Sequence, residues 1–259
     1  MMPPVAFITG ANSGIGLATA RLLASTGYDL ALMDLDEAEV SGLAGEFSSL
    51  HGTRVVGIAG DASDEIDMDR CYALIAATWG RLDAVVANAG INGVWAPIDD
   101  LTAEEWDRTI RVNLRSTYLT LNRTVPLLKR SGGGAIVVVA SINGVRTFTN
   151  PGATAYSASK AAQVAMVQQL ALELGRHAIR INVVCPGAID TNIAASTEVR
   201  LREQTEIPAV WPQGTIPITG GEPGRAEDVA RTIGFLLGDA SAHVTGSPVF
   251  VDGGQGLLR

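Results

Sequence analysis

Tyr156 and Lys160 stand four residues apart in the run Tyr156-Ser157-Ala158-Ser159-Lys160. On a helix that spacing places phenol and ammonium on one face, with β-carbons about 5–6 Å apart. A phenol ordinarily titrates near pH ~10 and exchanges protons poorly at neutrality. A fixed cation beside it stabilises the phenolate, and a fall of ~3 units needs about 4 kcal/mol of differential interaction. Such a pair would serve as a general acid and base near neutral pH. A helical tyrosine lying over a lysine stem is the other reading, and spacing alone leaves both open.

A second group is suited to holding a phosphate. In Gly10-Ala11-Asn12-Ser13-Gly14-Ile15-Gly16 the glycines follow the pattern G-x-x-x-G-x-G. Gly10 would turn the chain out of a strand, Gly14 would let backbone approach a pyrophosphate, and Gly16 would let a helix pack closely on a sheet. The helix start would offer N–H groups and partial positive charge to that anion. A plain structural turn would use the same glycines. Asp34 lies 18 residues beyond Gly16, where a carboxylate binds a ribose 2′-hydroxyl and repels a 2′-phosphate. Neither Ser13 nor Leu35 is basic, and Asp36 and Glu37 add negative charge. The expected cofactor is therefore NAD rather than NADP; the alternative for Asp34 is a helix cap.

These residues need elements to carry them. Apolar runs predict strands over 5–9, 29–33, 54–59, 82–87, 135–140, 179–185 and 248–252. Helical patterns fill the intervals, ending at Gly27 and then covering 37–50, 64–79, 102–129, 153–176 and 226–237. Thr102 and Glu105 form a capping box, and Pro126 is expected to bend the last turns of its helix. Seven strands alternating with six helices imply an α/β, doubly wound Rossmann fold: a parallel sheet with helices on both faces, one domain over 1–259. Ligands bind such sheets beyond the carboxyl ends of the strands. Gly10, Asp34, Asp61, Asn88, Ser141 and Pro186 all fall just past strand ends and should line one crevice.

The composition narrows the function classes. A chain of 259 residues with 47% hydrophobic and only 5% aromatic content suits a core of Ala, Val, Ile and Leu. A net charge of −8 without a basic cluster argues against nucleic acid or an anionic membrane. Cys71 and Cys185 read as reduced core residues, and His51, His177 and His243 show no metal-ligand spacing. Arg21 is the first basic residue, and no apolar run reaches membrane length, so a soluble, cytoplasmic protein is expected.

With these residues in view, the chain resembles the short-chain dehydrogenase/reductase family from end to end. Thr9-Gly10 through Gly16 is similar to its cofactor turn, Asp61 with Ala62 to its adenine contact, and Ala87-Asn88-Ala89-Gly90 to its N-A-G motif. Asn113, Ser141, Tyr156 and Lys160 match its catalytic tetrad, Pro186-Gly187-x-Ile189-x-Thr191 its nicotinamide segment, and Val251-Asp252-Gly253-Gly254 its closing strand. The resemblance implies that Tyr156 exchanges a proton with the substrate oxygen, while Lys160 binds the nicotinamide ribose and, with the oxidised ring, acidifies Tyr156. It implies that Ser141 polarises the substrate, that Asn113 holds a water linking Lys160 to solvent, and that Thr191 and Ile189 anchor the carboxamide. Without it, Ser141 reads as a strand-end turn residue and Asn113 as a helix-kinking asparagine. One departure is the 15-residue separation of Ser141 from Tyr156, longer than the family's usual dozen, with the excess in 143–151.

By the same analogy a lid covers 188–224. Trp95, Asn143, Arg146, Phe148 and Trp211 are candidate substrate residues, with packing or solvated roles as alternatives. Lys160 is the only charge from Ser157 to Leu172. A helix so poor in charge is normally covered all round, which predicts a homo-oligomer, a tetramer by resemblance. The expected activity is NAD(H)-dependent oxidation or reduction of a small hydroxy or keto compound. Alternatives are an NADPH-dependent 3-oxoacyl-carrier-protein reductase and a non-catalytic dinucleotide-binding regulator.

Overall fold

The computed structural model describes residues 2–148, 150–206 and 216–258. Seven strands form the main sheet: β1 (Val5–Thr9), β2 (Asp29–Asp34), β3 (Val55–Ala59), β4 (Ala84–Ala87), β5 (Gly134–Val139), β6 (Ile179–Pro186) and β7 (Pro248–Val251). All pairs are parallel, in the order β7-β6-β5-β4-β1-β2-β3. The expected α/β, doubly wound fold is the one observed. Strand order reverses between β1 and β4, where the loops leaving two neighbouring strands diverge and open a crevice. Gly10 and Asn88 follow those two strands.

The helices are α1 (Gly14–Ser25), α2 (Glu37–His51), α3 (Glu65–Trp79), α4 (Ala103–Ile110), α5 (Ser116–Ser131), α6 (Thr154–Gly175) and α7 (Ala226–Leu237). Each face of the sheet is dry. Phe7, Val85 and Ile136 point to one side, toward the layer holding α3, α5 and α6; Ile8, Leu30 and Leu32 point to the other, toward α1, α2 and α7. Each such side chain contributes roughly 1.5–3 kcal/mol by leaving water. Helix ends follow the sequence signals. Asp36 caps α2 and Asp64 caps α3 through main-chain N–H groups, and Gly52 and Gly80 end them in the left-handed region. The Thr102/Glu105 capping box forms as expected.

Two segments differ from expectation. The long helix over 102–129 is divided by a π turn, Arg111–Arg115, while Pro126 sits inside α5 without ending it. The stretch after β6 is more ordered than a plain loop. Ile189–Asp190 pairs with Gly224–Arg225, and Thr197–Val199 pairs in parallel with Gly93–Trp95. Neither three-residue segment carries enough alternation to announce a strand. Cys71 and Cys185 are free and buried. Among the described residues, no helix is long and apolar enough to cross a membrane, and no His/Cys/Asp/Glu grouping could hold a metal.

Candidate active site

A crevice of about 660 Å³ runs along the carboxyl ends of the strands, within the range of roughly 300–1,000 Å³ typical of small-molecule sites. At one end the glycine turn forms its floor. Gly10 (φ +67°) and Gly14 (φ +51°) are left-handed, a conformation that glycine enters without steric cost. Gly16 packs so closely that a β-carbon there would come 1.9 Å from the Gly10 carbonyl oxygen. Ser13, the N-cap residue of α1, makes no side-chain cap bond, and the first turn holds no acid, so its N–H groups stay free for an anion. Asn88 ties this turn to β4: its Nδ2 donates to Thr9 O (3.1 Å) and Gly10 O (2.9 Å).

Asp34 is held on both carboxylate oxygens, accepting from Asn12 N and Leu35 N, each at 2.8 Å. The cap of α2 is Asp36 instead, so the helix-cap reading of Asp34 falls away. Asp61 accepts from Ser63 N (2.8 Å) and Ser63 Oγ (2.7 Å) and faces the Arg111 guanidinium at 3.5 Å. Ser13, Ile15, Leu35, Ala62, Ala89 and Gly90 line the same crevice, Gly90 next to Asn113 and Lys160. Asn12, expected in the cofactor turn, supplies its backbone N–H to Asp34, while its side chain turns toward Asp36 O and Glu39. These features fit a dinucleotide, with bare backbone and a free helix start for the diphosphate and a braced carboxylate for a ribose. Pro186, Gly187, Ile189 and Thr191 line the middle, where a β-carbon on Gly14 would lie 3.1 Å from the Thr191 methyl.

Ser141, Tyr156 and Lys160 meet beyond that point, each less than 9% exposed. Ser141 bonds the Tyr156 phenol, and Asn143 N donates to Ser141 Oγ at 3.1 Å. Lys160 Nζ donates to Val139 O at 2.9 Å and lies 5.7 Å from the centre of the Tyr156 ring. Asn113 is wholly buried beneath them. The π turn swings its amide inward, where it accepts from Ile91 N (2.8 Å) and donates to Ile91 O (2.9 Å) and Ser159 Oγ (3.0 Å). Ser159 Oγ in turn donates to Tyr156 O at 2.7 Å. The kinking and site-building readings of Asn113 therefore describe one arrangement.

The protonation pattern separates what the chain supplies from what the oxidised ring is expected to add. Burial pushes the Tyr156 phenol up from its ordinary value, with the Ser141 bond acting the other way. Burial also brings Lys160 down to about 8. In this dry setting desolvation disfavours both charged forms. An acidified phenol is not built by the chain alone; it requires additional positive charge at the crevice.

At the far end Trp95 stands 6.5 Å from the Tyr156 ring, tilted 46°, and donates from Nε1 to Asn92 O at 3.2 Å. Asn92, Asn143, Asn150, Ile193 and Ser196 complete a wall that carries no formal charge. Arg146, expected in the pocket, is instead stacked 3.3 Å over the Phe250 ring and lies 3.6 Å from Asp252. Phe148 is 70% exposed and borders a separate depression with Gly144 and Ala161. Trp211 lies outside the described residues. Sequence reasoning missed Gln255, whose Oε1 accepts from Ala188 N at 2.8 Å, and Arg200. The Arg200 main chain donates to Trp95 O (2.9 Å), and its guanidinium grips Glu105 (2.5 and 2.9 Å) and Asp100 (2.9 Å). No local pattern marks either residue; only the fold brings them to their partners.

Comparison with known proteins agrees with this geometry. A family model described as enoyl-(acyl carrier protein) reductase matches residues 10–255. The levodione reductase of Leifsonia aquatica is 33% identical over 97% of this chain and 93% of its own length. The crystal structure of a 3-ketoacyl-ACP reductase from Sinorhizobium meliloti 1021 superposes with a TM-score of 0.94, at 59% identity, covering 99% of this chain and 100% of that one. A 3-ketoacyl-(acyl-carrier-protein) reductase from Brucella melitensis, complexed with NADH, superposes at 0.85 with 29% identity, covering 99% and 100%. With family model, relatives and fold in agreement, the chain belongs to the short-chain dehydrogenase/reductase family, whose members are oxidoreductases that use a nicotinamide dinucleotide.

Proposed function

We propose that this enzyme moves a hydride between NAD(H) and a small, uncharged secondary alcohol or ketone, with Tyr156 as general acid and base. The observation that carries the reading is the convergence of Ser141, Tyr156 and Lys160 on one buried stretch of the crevice. A bound nicotinamide dinucleotide supplies the hydride acceptor or donor. Ser141 orients the substrate oxygen against the phenol. Tyr156 takes the hydroxyl proton in oxidation and returns it in reduction. Lys160 holds the nicotinamide ribose and adds positive charge next to the phenol. Asn113 keeps the floor rigid through Ile91 and Ser159. Thr191 and the Ile189 backbone secure the carboxamide, and the lid expected over 188–224 is described for 188–206 and 216–224, with 207–215 outside the described residues.

Asp34 supports NAD over NADP: a carboxylate already braced by two N–H bonds suits ribose hydroxyls and repels a phosphate. An uncharged substrate is supported by the polar amides and Trp95 in the pocket wall and by the diversion of Arg146 to Asp252. The alternative, 3-oxoacyl-carrier-protein reduction with NADPH, is favoured by the likeness to the Sinorhizobium 3-ketoacyl-ACP reductase and opposed by Asp34. A silent regulator would have no need of the complete set Asn113, Ser141, Tyr156 and Lys160. Leu172 is 85% exposed on an α6 face almost free of charge, which supports a homo-oligomer, with the tetramer and the cytoplasmic location following from the family resemblance. Steady-state turnover of secondary alcohols, cyclic ketones and an acetoacetyl thioester, each with NADH and NADPH, tests the reading. Preference for NAD(H) and a neutral ketone is expected. NADPH with the thioester as the sole productive pair would replace it with the alternative.

A further inference from the structure

Gln163 lies three residues beyond Lys160 on α6 and is 0% exposed. Its Nε2 donates to Asn113 O at 2.9 Å and to Thr117 Oγ1 at 2.7 Å. A main-chain carbonyl only accepts, so this bond fixes which end of the amide carries nitrogen. Oε1 is left buried with no hydrogen-bond partner. Such an unmet carbonyl costs about 1–3 kcal/mol and is ordinarily satisfied by an ordered water.

The matching surplus of donors lies one helical turn back on α6. Lys160 is 3% exposed and gives one hydrogen to Val139 O, while an ammonium has three. Positions i and i+3 of a helix share a face. Asn113, the residue expected to hold a water for Lys160, is heavily engaged: Oδ1 and Nδ2 serve Ile91 and Ser159, and its main-chain oxygen accepts from Gln163 and Thr117. Gly90 leaves room between Asn113 and Lys160, since a β-carbon there would lie 3.1 Å from Asn113 Oδ1 and 3.5 Å from Lys160 Nζ.

We propose that Gln163 is a positioning residue of the proton path: its amide clamps the π turn through Asn113 O, and its free Oε1 holds an internal water against Lys160. The proposal rests on the reading of Tyr156 and Lys160 given above. In alcohol oxidation the substrate hydroxyl proton passes to the Tyr156 oxygen, and one proton leaves through Lys160 and that water, so charge balances. The titratable groups facing Lys160 are Tyr156 on its own helix and Cys185 from β6. Arg146 and Asp252 act on Cys185 rather than on the ammonium.

Gln163→Leu and Gln163→Glu test this, with kcat followed from pH 6 to 10, NADH affinity by fluorescence, and thermal midpoints of the cofactor-free protein over the same range. In Gln163→Leu, kcat is expected to fall about tenfold, with NADH affinity and substrate KM unchanged and the kcat limb moved to lower pH. In Gln163→Glu the added carboxylate moves the limb, and the pH-dependent stability of the cofactor-free protein, to higher pH. A purely structural glutamine would lower the midpoints of both variants and leave both pH profiles at the wild-type position, which overturns the proposal. Should the leucine variant not fold, the near-isosteric glutamate variant decides alone: an unmoved or downshifted profile rejects the water link. Loss of turnover in Tyr156→Phe alongside silent Gln163 variants rejects only this inference. Retained turnover in Tyr156→Phe rejects the functional reading beneath it.

Discussion

The Asp34 carboxylate at the cofactor end is braced over short stretches of chain, whereas the substrate end is assembled from segments nearly a hundred residues apart. Asp34 is fixed by Asn12, 22 residues away, and by its own neighbour Leu35. At the other end Asn92 bonds Thr197 across 105 residues, and Arg200 reaches Glu105 across 95. Local turns form with little loop-closure entropy, while distant pairings depend on the whole sheet being in place. The carboxylate brace is thus a property of its own strand end, and the substrate wall of tertiary closure. Substitutions should divide along the same line, moving cofactor affinity at one end and substrate KM at the other.

Tyr156 sits at the seam, so removing its hydroxyl gives the largest expected effect. Tyr156→Phe should lower kcat by about 10²–10⁴, the usual worth of a general acid or base, while NADH still binds as judged by fluorescence. Loss of NADH binding as well would mean that the two halves are not separable there. Asp34→Ala comes next. It removes a charge-assisted contact of about 1.5–3 kcal/mol, so the ratio of kcat/KM for NAD over NADP should fall roughly 10–100-fold. Substrate KM at saturating cofactor should stay within twofold, and a KM that moves with it would join the two ends energetically.

How much was legible in the sequence follows the same division. Gly10, Gly16, Asp34 and Asn88 were readable because strand ends and glycine turns leave short-range signatures. The π turn was hidden because Asn113 sits in an otherwise helical pattern, and the bonds to Ile91, Ser159 and Gln163 that stabilise it come from elsewhere. The readings of Arg146 stayed open for the reason that Arg200 was missed. An isolated arginine in a loop does not reveal its partner, and each of these found acids that only the fold supplies. The Tyr156–Lys160 spacing located the pair but not its protonation, because burial depends on everything packed around it.

Arg200→Ala probes the substrate end alone. Its main chain holds Trp95 O and its side chain ties Thr197–Val199 to the start of α4, so the latch fixes a pocket wall and the lid together. The pair is partly exposed and screened by salt, which limits its worth. Substrate KM is expected to rise about tenfold or less, with NADH affinity unchanged. Arg200→Lys should recover only part, because a single ammonium cannot reproduce the two-pronged grip on Glu105. The Arg200 bonds hold the Glu105 carboxyl down to about 2, so the latch persists through neutral pH and is lost only in strong acid. Full recovery by lysine would reduce the latch to simple charge.

The smallest effect concerns stability and belongs to the seam itself. Lys160 has a folded value of about 8, below its ordinary 10.5. From pH 8 to 10 the unfolded chain therefore binds a proton that the folded chain has released, and stability rises with pH over that window by linkage. Cys185, raised from 9.0 to about 11, acts oppositely: the folded chain keeps a proton that the unfolded one loses, so stability falls above pH 9. Cys71, pushed up from 9.0 to about 12 by burial, adds to that fall, so the net profile of the cofactor-free protein should climb from pH 8 to 9 and then decline. Lys160→Met removes the rise and leaves the cysteine-driven fall, so the difference between the two melting curves isolates the lysine at no more than about 1.4 kcal/mol per pH unit. Parallel melting profiles for the two proteins would mean that Lys160 stays charged in the folded state, with its two remaining donors already satisfied inside the protein.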